Sequence, residues 1–153
     1  MSSIPLIADQ LKRAYDGEAW HGPALLEALQ GIEAATAAAH PIAGAHSIWE
    51  IVLHLAGWER VILRRIAGNG SRLTDEEDFP PPTEVSGASW QRALEQLRDT
   101  NAELIRAVSQ FPESRLKDIA PGGKYDFECM FLGVVQHAAY HGGQISLLKK
   151  IRR

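Results

Sequence analysis

The sequence predicts an all-α fold, a four-helix bundle with a long crossover between its second and third helices. Two observations predict it. Leucine, isoleucine and alanine recur at helical spacing along the chain, and no stretch alternates apolar and polar residues as a strand would for more than a few positions. Glycine and proline punctuate the periodic stretches at points that leave four principal helices. At 153 residues, with 45% apolar and 23% charged content, the chain has the size and composition of one globular domain, taken as 1–153.

The first helical region, about 4–39, is broken. Pro5 suits an opening turn, where its missing N–H costs nothing. Gly17 and the pair Gly22-Pro23 interrupt the pattern before a second piece, Ala24 to Gln30. Past Gly31, five alanines between Ala34 and Ala39 can extend that piece until His40-Pro41 stops it. The second helix is expected from about Ser47 to Ala67. Ser47 with Glu50 three residues later is a capping-box pattern, and Gly68-Asn69-Gly70 supplies the stop. Ile48, Ile51, Leu55, Trp58 and Ile62 form its apolar stripe, which His54 borders.

A third helix is expected from about Ser89 to Phe111, closed by Pro112, and a fourth from about Phe127 to Ile151. Between the second and third lies an acidic, proline-rich segment, 69–88. Its run Asp75-Glu76-Glu77-Asp78 before Pro80-Pro81-Pro82 cannot continue a helix and offers little to bury. A connection of that length either crosses the molecule or covers a site. Residues 117–126, around Pro121-Gly122-Gly123, read as a turn with a small hairpin.

Charge and composition exclude several classes of function. A net charge of −3 gives no electrostatic footprint for nucleic acid. The basic cluster Lys149, Lys150, Arg152 and Arg153 complements the C-terminal end of a helix dipole. No run approaches the ~20 apolar residues that span a bilayer, so no membrane partner is expected. The start, Met1-Ser2-Ser3-Ile4-Pro5, lacks the basic and apolar regions of a signal peptide. The single cysteine, Cys129, excludes an internal disulfide and suits a reducing compartment, so a cytoplasmic location is expected. Cys129 itself reads as a small buried hydrophobe.

The residues that carry chemistry are histidines. His137 and His141 form H-x-x-x-H, which on a helix places two imidazoles one turn apart on one face. His54 lies far away in sequence, beside the apolar stripe of the second helix. Each alone is ordinary core material. Three desolvated imidazoles facing one interior are not, and a shared zinc-like ion offsets their cost. His137 is followed by Ala138, so the peptidase motif H-E-x-x-H is absent. Carboxylates are also missing near the pair on the inner face of the fourth helix, unlike the di-iron bundles. What is left is a mononuclear three-histidine site, His54, His137 and His141, with at least one open position. Such a site lowers the pKa of a bound water or holds a thiolate. No catalytic base is identified.

Around this triad, Gln144 is a candidate to hydrogen-bond a ligand histidine, and Trp58 is read first as core packing. His46 is expected at the surface or in the cap, His21 is read first as a loop histidine with the pocket mouth as the alternative, and His40 has no motif around it. Tyr140 diverges from His141 by about 100° around the helix.

The blocks Ser47-Ile48-Trp49-Glu50-Ile51-Val52-Leu53-His54, Trp58-Glu59, and His137-x-x-x-His141-Gly142-Gly143-Gln144-Ile145 resemble the DinB/YfiT-like superfamily. Ala19-Trp20-His21-Gly22-Pro23, with Leu25 and Leu26, resembles that family's first-helix region. The resemblance covers essentially the whole chain in element order, with its specificity in the two histidine blocks. It implies a bundle of up-down-down-up topology, often a homodimer, in which three histidines bind one divalent ion, commonly zinc or nickel. Carried over by motif, those ligands are His54, His137 and His141. Some relatives are thiol-dependent transferases or isomerases using bacillithiol, mycothiol or glutathione. The resemblance therefore implies a metal-dependent S-transferase or hydrolase acting on a small electrophile, with a low-molecular-weight thiol cosubstrate. The other class left open is a non-catalytic, metal-stabilised bundle that binds a small molecule or a partner.

Overall fold

In the computed structural model, which describes residues 3–151, the first helix α1 (Ile4–Tyr15) buries Ile4, Ile7, Leu11, Ala14 and Tyr15 and exposes an Asp9–Arg13 ion pair. Pro5 stands in its first turn, as the sequence predicts. Two short helices follow, α2 (Leu25–Leu29) and α3 (Ala34–Ala38). The alanines do not extend α2. Gly31 takes the left-handed conformation, φ +73°, and ends it. The break frees the carbonyl of Ile32, which accepts the indole N–H of the buried Trp90 at 2.8 Å. Lys149 donates to the carbonyls of Ala28 and Gln30, so its ammonium caps the C-terminal end of α2. Ala19-Trp20-His21-Gly22-Pro23 lies in the connection between α1 and α2 rather than in a helix, with Trp20 and His21 exposed.

Helix α4 (Ile48–Ile66) starts at the expected capping box. The Glu50 amide donates to Ser47 Oγ at 3.2 Å, and the Ser47 amide donates to Glu50 Oε2 at 2.7 Å. The crossover then holds a helical turn that the sequence reading missed, α5 (Asp75–Asp78), capped by the same device from Thr74 and Glu77. Helix α6 (Gly87–Ser109) begins earlier than expected because Ser86, not Ser89, is the N-cap; its Oγ accepts from the Ser89 amide. A 3-10 turn (Glu113–Arg115) leads to the predicted turn at 117–126. That turn is closed by one antiparallel bridge, Ile119 to Asp126, and no strand forms among the described residues. Helix α7 (Phe127–Leu148) is capped by Asp126.

Helices α1 and α4 each pack against both α6 and α7, so the four long helices close a ring. The interior divides in two. One apolar cluster includes Trp49, Val52, Leu55, Trp90, Leu97 and Ile145; the other includes Leu11, Ile62, Leu104, Phe111, Phe127 and Phe131. On α4, α6 and α7 the residues between the clusters include polar side chains: Glu59, Asn101, His137 and His141. A polar belt therefore crosses the bundle where two hydrophobic clusters meet. Asn101 Nδ2 donates to Glu59 Oε1 at 2.7 Å across the α4–α6 interface.

Two glycine contacts fix the crossover against the bundle. At Gly57 of α4 a Cβ would stand 3.3 Å from Leu73 Cδ1, so the missing side chain is what admits Leu73. Gly122, with φ +69°, brings its α-carbon against the backbone of Gly70; a Cβ there would lie 2.0 Å from the Gly70 carbonyl oxygen. Arg72 completes this clasp by donating two hydrogen bonds to the Gly122 carbonyl, 3.0 and 2.6 Å long. The crossover is thereby tied to the 117–126 turn, and its next residues are led across the face of α4.

Candidate metal centre

His54 from α4 and His137 and His141 from α7 converge between the two apolar clusters. One ring nitrogen from each lies within 4.8 Å of the others, and the Nε2 atoms of His54 and His137 are 2.9 Å apart. The i, i+4 spacing on α7 puts the second and third rings on one helical face, edge to face with centroids 4.6 Å apart. His54 and His141 are buried. Among the described residues these three form a group that could hold a metal ion.

The hydrogen bonds around the rings prepare that role. His54 Nδ1 donates to the backbone carbonyl of Asp78 at 2.8 Å and lies 3.0 Å from its Oδ1, which fixes the proton on Nδ1 and leaves Nε2 bare. His141 Nδ1 faces Gln144 Oε1 at 2.6 Å with the same result, so Gln144 takes the supporting place that the sequence assigned it. Burial holds all three histidines below their ordinary pKa, with His137 pushed to about 3 because its two neighbours also oppose its charge. Asp78 works against this depression at His54. Neutral imidazoles whose ring nitrogens converge on one point are the donor set a borderline divalent ion takes. The three residues fit such an ion.

The crossover covers this group. Phe79 lies flat on His54, with centroids 3.8 Å apart and planes at 7°, stacks on His46 at 3.7 Å, and meets His141 edge-on at 6.1 Å. Trp58 Nε1 donates to Asp78 Oδ1 at 2.7 Å, so Trp58 is a wall of the pocket rather than core packing. Sequence reasoning passed over Asp78 and Phe79. Both sit in the acidic segment treated as having little to bury. The signal that could have found them is Thr74-x-x-Glu77, a capping-box spacing that orders the turn and aims its last residue at α4.

A cavity of about 990 Å³ opens from the histidines along the groove between α4 and α7. Trp58, Glu59, Ile62 and Arg65 line one side and Cys129, Met130, Val134 and His137 the other. Cys129 is exposed here and is not the buried hydrophobe expected; as the third residue of α7 it sits in a turn whose inward positions are taken by Phe127 and Met130. Glu59 is nearly inaccessible, its Oε2 has no hydrogen-bond partner among the described residues, and burial pushes its carboxyl up to about 8. His21 does not reach the cavity. His40 Nε2 pairs with Glu50 Oε2 at 2.9 Å, which ties it to the start of α4. Tyr140 points outward, 66% exposed.

None of the described helices is long and apolar enough to cross a membrane. No curated protein and no solved structure matches the chain. A sequence profile of the DinB superfamily matches residues 19–145, from the α1–α2 connection into the last turns of α7, with all three converging histidines inside the match. The chain belongs to the DinB superfamily.

Proposed function

We propose that this protein is a metal-dependent enzyme in which His54, His137 and His141 hold one divalent ion, zinc or nickel, and in which a low-molecular-weight thiol or water is turned on a small electrophile. The observation that carries this reading is the pair of oriented histidines. Asp78 and Gln144 occupy the Nδ1 atoms of His54 and His141, so that both present bare Nε2 atoms to the point His137 also faces. A divalent ion bound there supplies Lewis acidity, favouring the ionised form of a thiol or water at neutral pH. The chain's own residues do the rest. Phe79 and Trp58 exclude water from one side of the group. Glu59 keeps a proton at its carboxyl near neutral pH and is the acid lining the cavity. As part of the same reading we place the protein in the cytoplasm, as a homodimer; the lone Cys129 suits a reducing compartment.

The test loads the protein with cobalt(II) and adds bacillithiol, mycothiol or glutathione, then a small alkylating electrophile. A thiol that changes the visible spectrum and an electrophile consumed only in its presence support the reading. A spectral change without turnover replaces it with the non-catalytic binding bundle. No spectral change with any thiol removes the thiol arm.

The support from Asp78 is open to a direct measurement. Asp78→Ala keeps the backbone carbonyl but removes the carboxylate beside His54 Nδ1 and the acceptor of Trp58. Zinc affinity, measured by competition with a chromophoric chelator, is expected to fall by about ten-fold or more. An unchanged affinity would show that the carboxylate does not orient the ring.

A further inference from the structure

Arg65 stands in the same cavity as the histidines but at the far end of the groove. It lies on α4 roughly three turns beyond His54, about 16 Å along the helix axis. The residue is 9% exposed. Among the described residues its Nε is fully buried without a hydrogen-bond partner, and Nη1 donates to the sulfur of Met130 at 3.8 Å. No ion pair reaches it among the described residues. Burial and the neighbouring Arg72 both weigh against its charge.

A desolvated guanidinium with no counter-ion is costly, and folds rarely keep one without a use for it. The cavity's two carboxyl groups do not compensate it. Asp78 is held by Trp58 and His54, and Glu59 by Asn101. Arg72 and Lys124 line the same cavity and make it more basic still. Between Arg65 and the histidines the wall is largely apolar, through Trp58, Ile62, Met130 and Val134, with the carboxyl of Glu59 as a polar member on α4. The groove is thus a cation, a largely apolar stretch, and a nitrogen-donor group, in that order.

We infer that the cavity binds an elongated carboxylate, its anionic end paired with Arg65 and its other end extended along the apolar wall to the three histidines. A planar guanidinium with free N–H donors matches a carboxylate in geometry and charge. For the reaction proposed above, this defines the thiol or the electrophile as an anionic molecule of several bond lengths rather than a compact neutral one. The inference rests on that reading only for what happens at the histidine end; the Arg65 subsite stands without it.

The test uses ω-mercaptooctanoate and its methyl ester, titrated calorimetrically into the full chain in metal-free and nickel-loaded forms. The acid is expected to bind at least about ten-fold more tightly than the ester in both forms, and Arg65→Met is expected to remove that preference. On the wild type alone, the acid but not the ester is expected to shield Arg65 from phenylglyoxal, a readout that does not depend on the variant folding. Equal binding of acid and ester, or a preference that survives Arg65→Met, overturns the inference. A preference for the acid with no gain from nickel leaves the Arg65 subsite standing and removes the thiol arm of the proposed function instead.

Discussion

Protein purified without an affinity tag or added metal is expected to carry about one equivalent of a divalent ion, and the His54→Ala, His137→Ala double variant none. The expectation follows from how the three imidazoles are held. Removing His54 takes away the α4 contribution and removing His137 splits the pair on α7, so that one ligand remains. An ion that binds only the folded chain stabilises it by mass action, by about 3–4 kcal/mol at a hundred- to thousand-fold excess over its dissociation constant. Stripping wild type with chelator is therefore expected to lower its urea midpoint, and the same treatment to leave the double variant unmoved. Absence of metal from both proteins, even after titration with zinc or nickel, would sink the metal reading. The pH dependence has a definite sign. The folded histidines resist protonation while the unfolded ones take it up near 6.5, so the unfolded state binds more protons below that pH. Stability is lost as pH falls from about 6.5, and His137 sustains the loss down toward about 3.

Glu59→Gln is expected to stabilise the protein at neutral pH. Unfolded, the carboxyl ionises at its ordinary value of 4.5; folded, it keeps its proton up to about 8. Between those values the folded state holds the extra proton, so stability falls as pH rises through the window. At pH 7 the accumulated cost is roughly 3 kcal/mol. Glutamine keeps an oxygen for the Asn101 amide to donate to and has nothing to ionise. Urea denaturation of wild type and variant from pH 5 to 8 checks this. Below pH 5 the curves converge, and above it wild type falls progressively below the variant. Parallel curves across the range would show that Glu59 is ionised in the folded protein.

The sequence was most legible where a local pattern and its tertiary consequence coincide. Ser47-x-x-Glu50 both starts α4 and sets its phase, which turns His54 inward. The four-residue spacing of His137 and His141 needs only a helix to place both rings together. Legibility failed where the reason for a structure lay elsewhere in the chain. Nothing near Ile32 announces that its carbonyl serves Trp90, so the break between α2 and α3 could not be read from their alanines. Cys129 looked like core by residue type alone, and only the register of α7 exposes it. Asp78, Phe79 and Arg65 take their meaning from what the crossover and the groove bring to them. Beyond the Thr74-x-x-Glu77 spacing, a segment rich in charge and proline gives no hint of that before it is folded against α4.

The two sides of the histidine group belong to helices far apart in the chain, and His54 and His137 are 83 residues apart. Neither ring meets the other until α4 and α7 have docked, a contact of high sequence separation whose loop-closure cost precedes any stabilisation from it. An ion shared between them contributes nothing to the encounter that forms the bundle and everything to keeping it closed. Its signature would be kinetic: refolding at an unchanged rate with or without metal, and a native state whose lifetime lengthens by nearly the whole of the stabilisation the ion provides. In a cell such a protein would respond to metal supply through how long each folded molecule survives, rather than through how readily it folds.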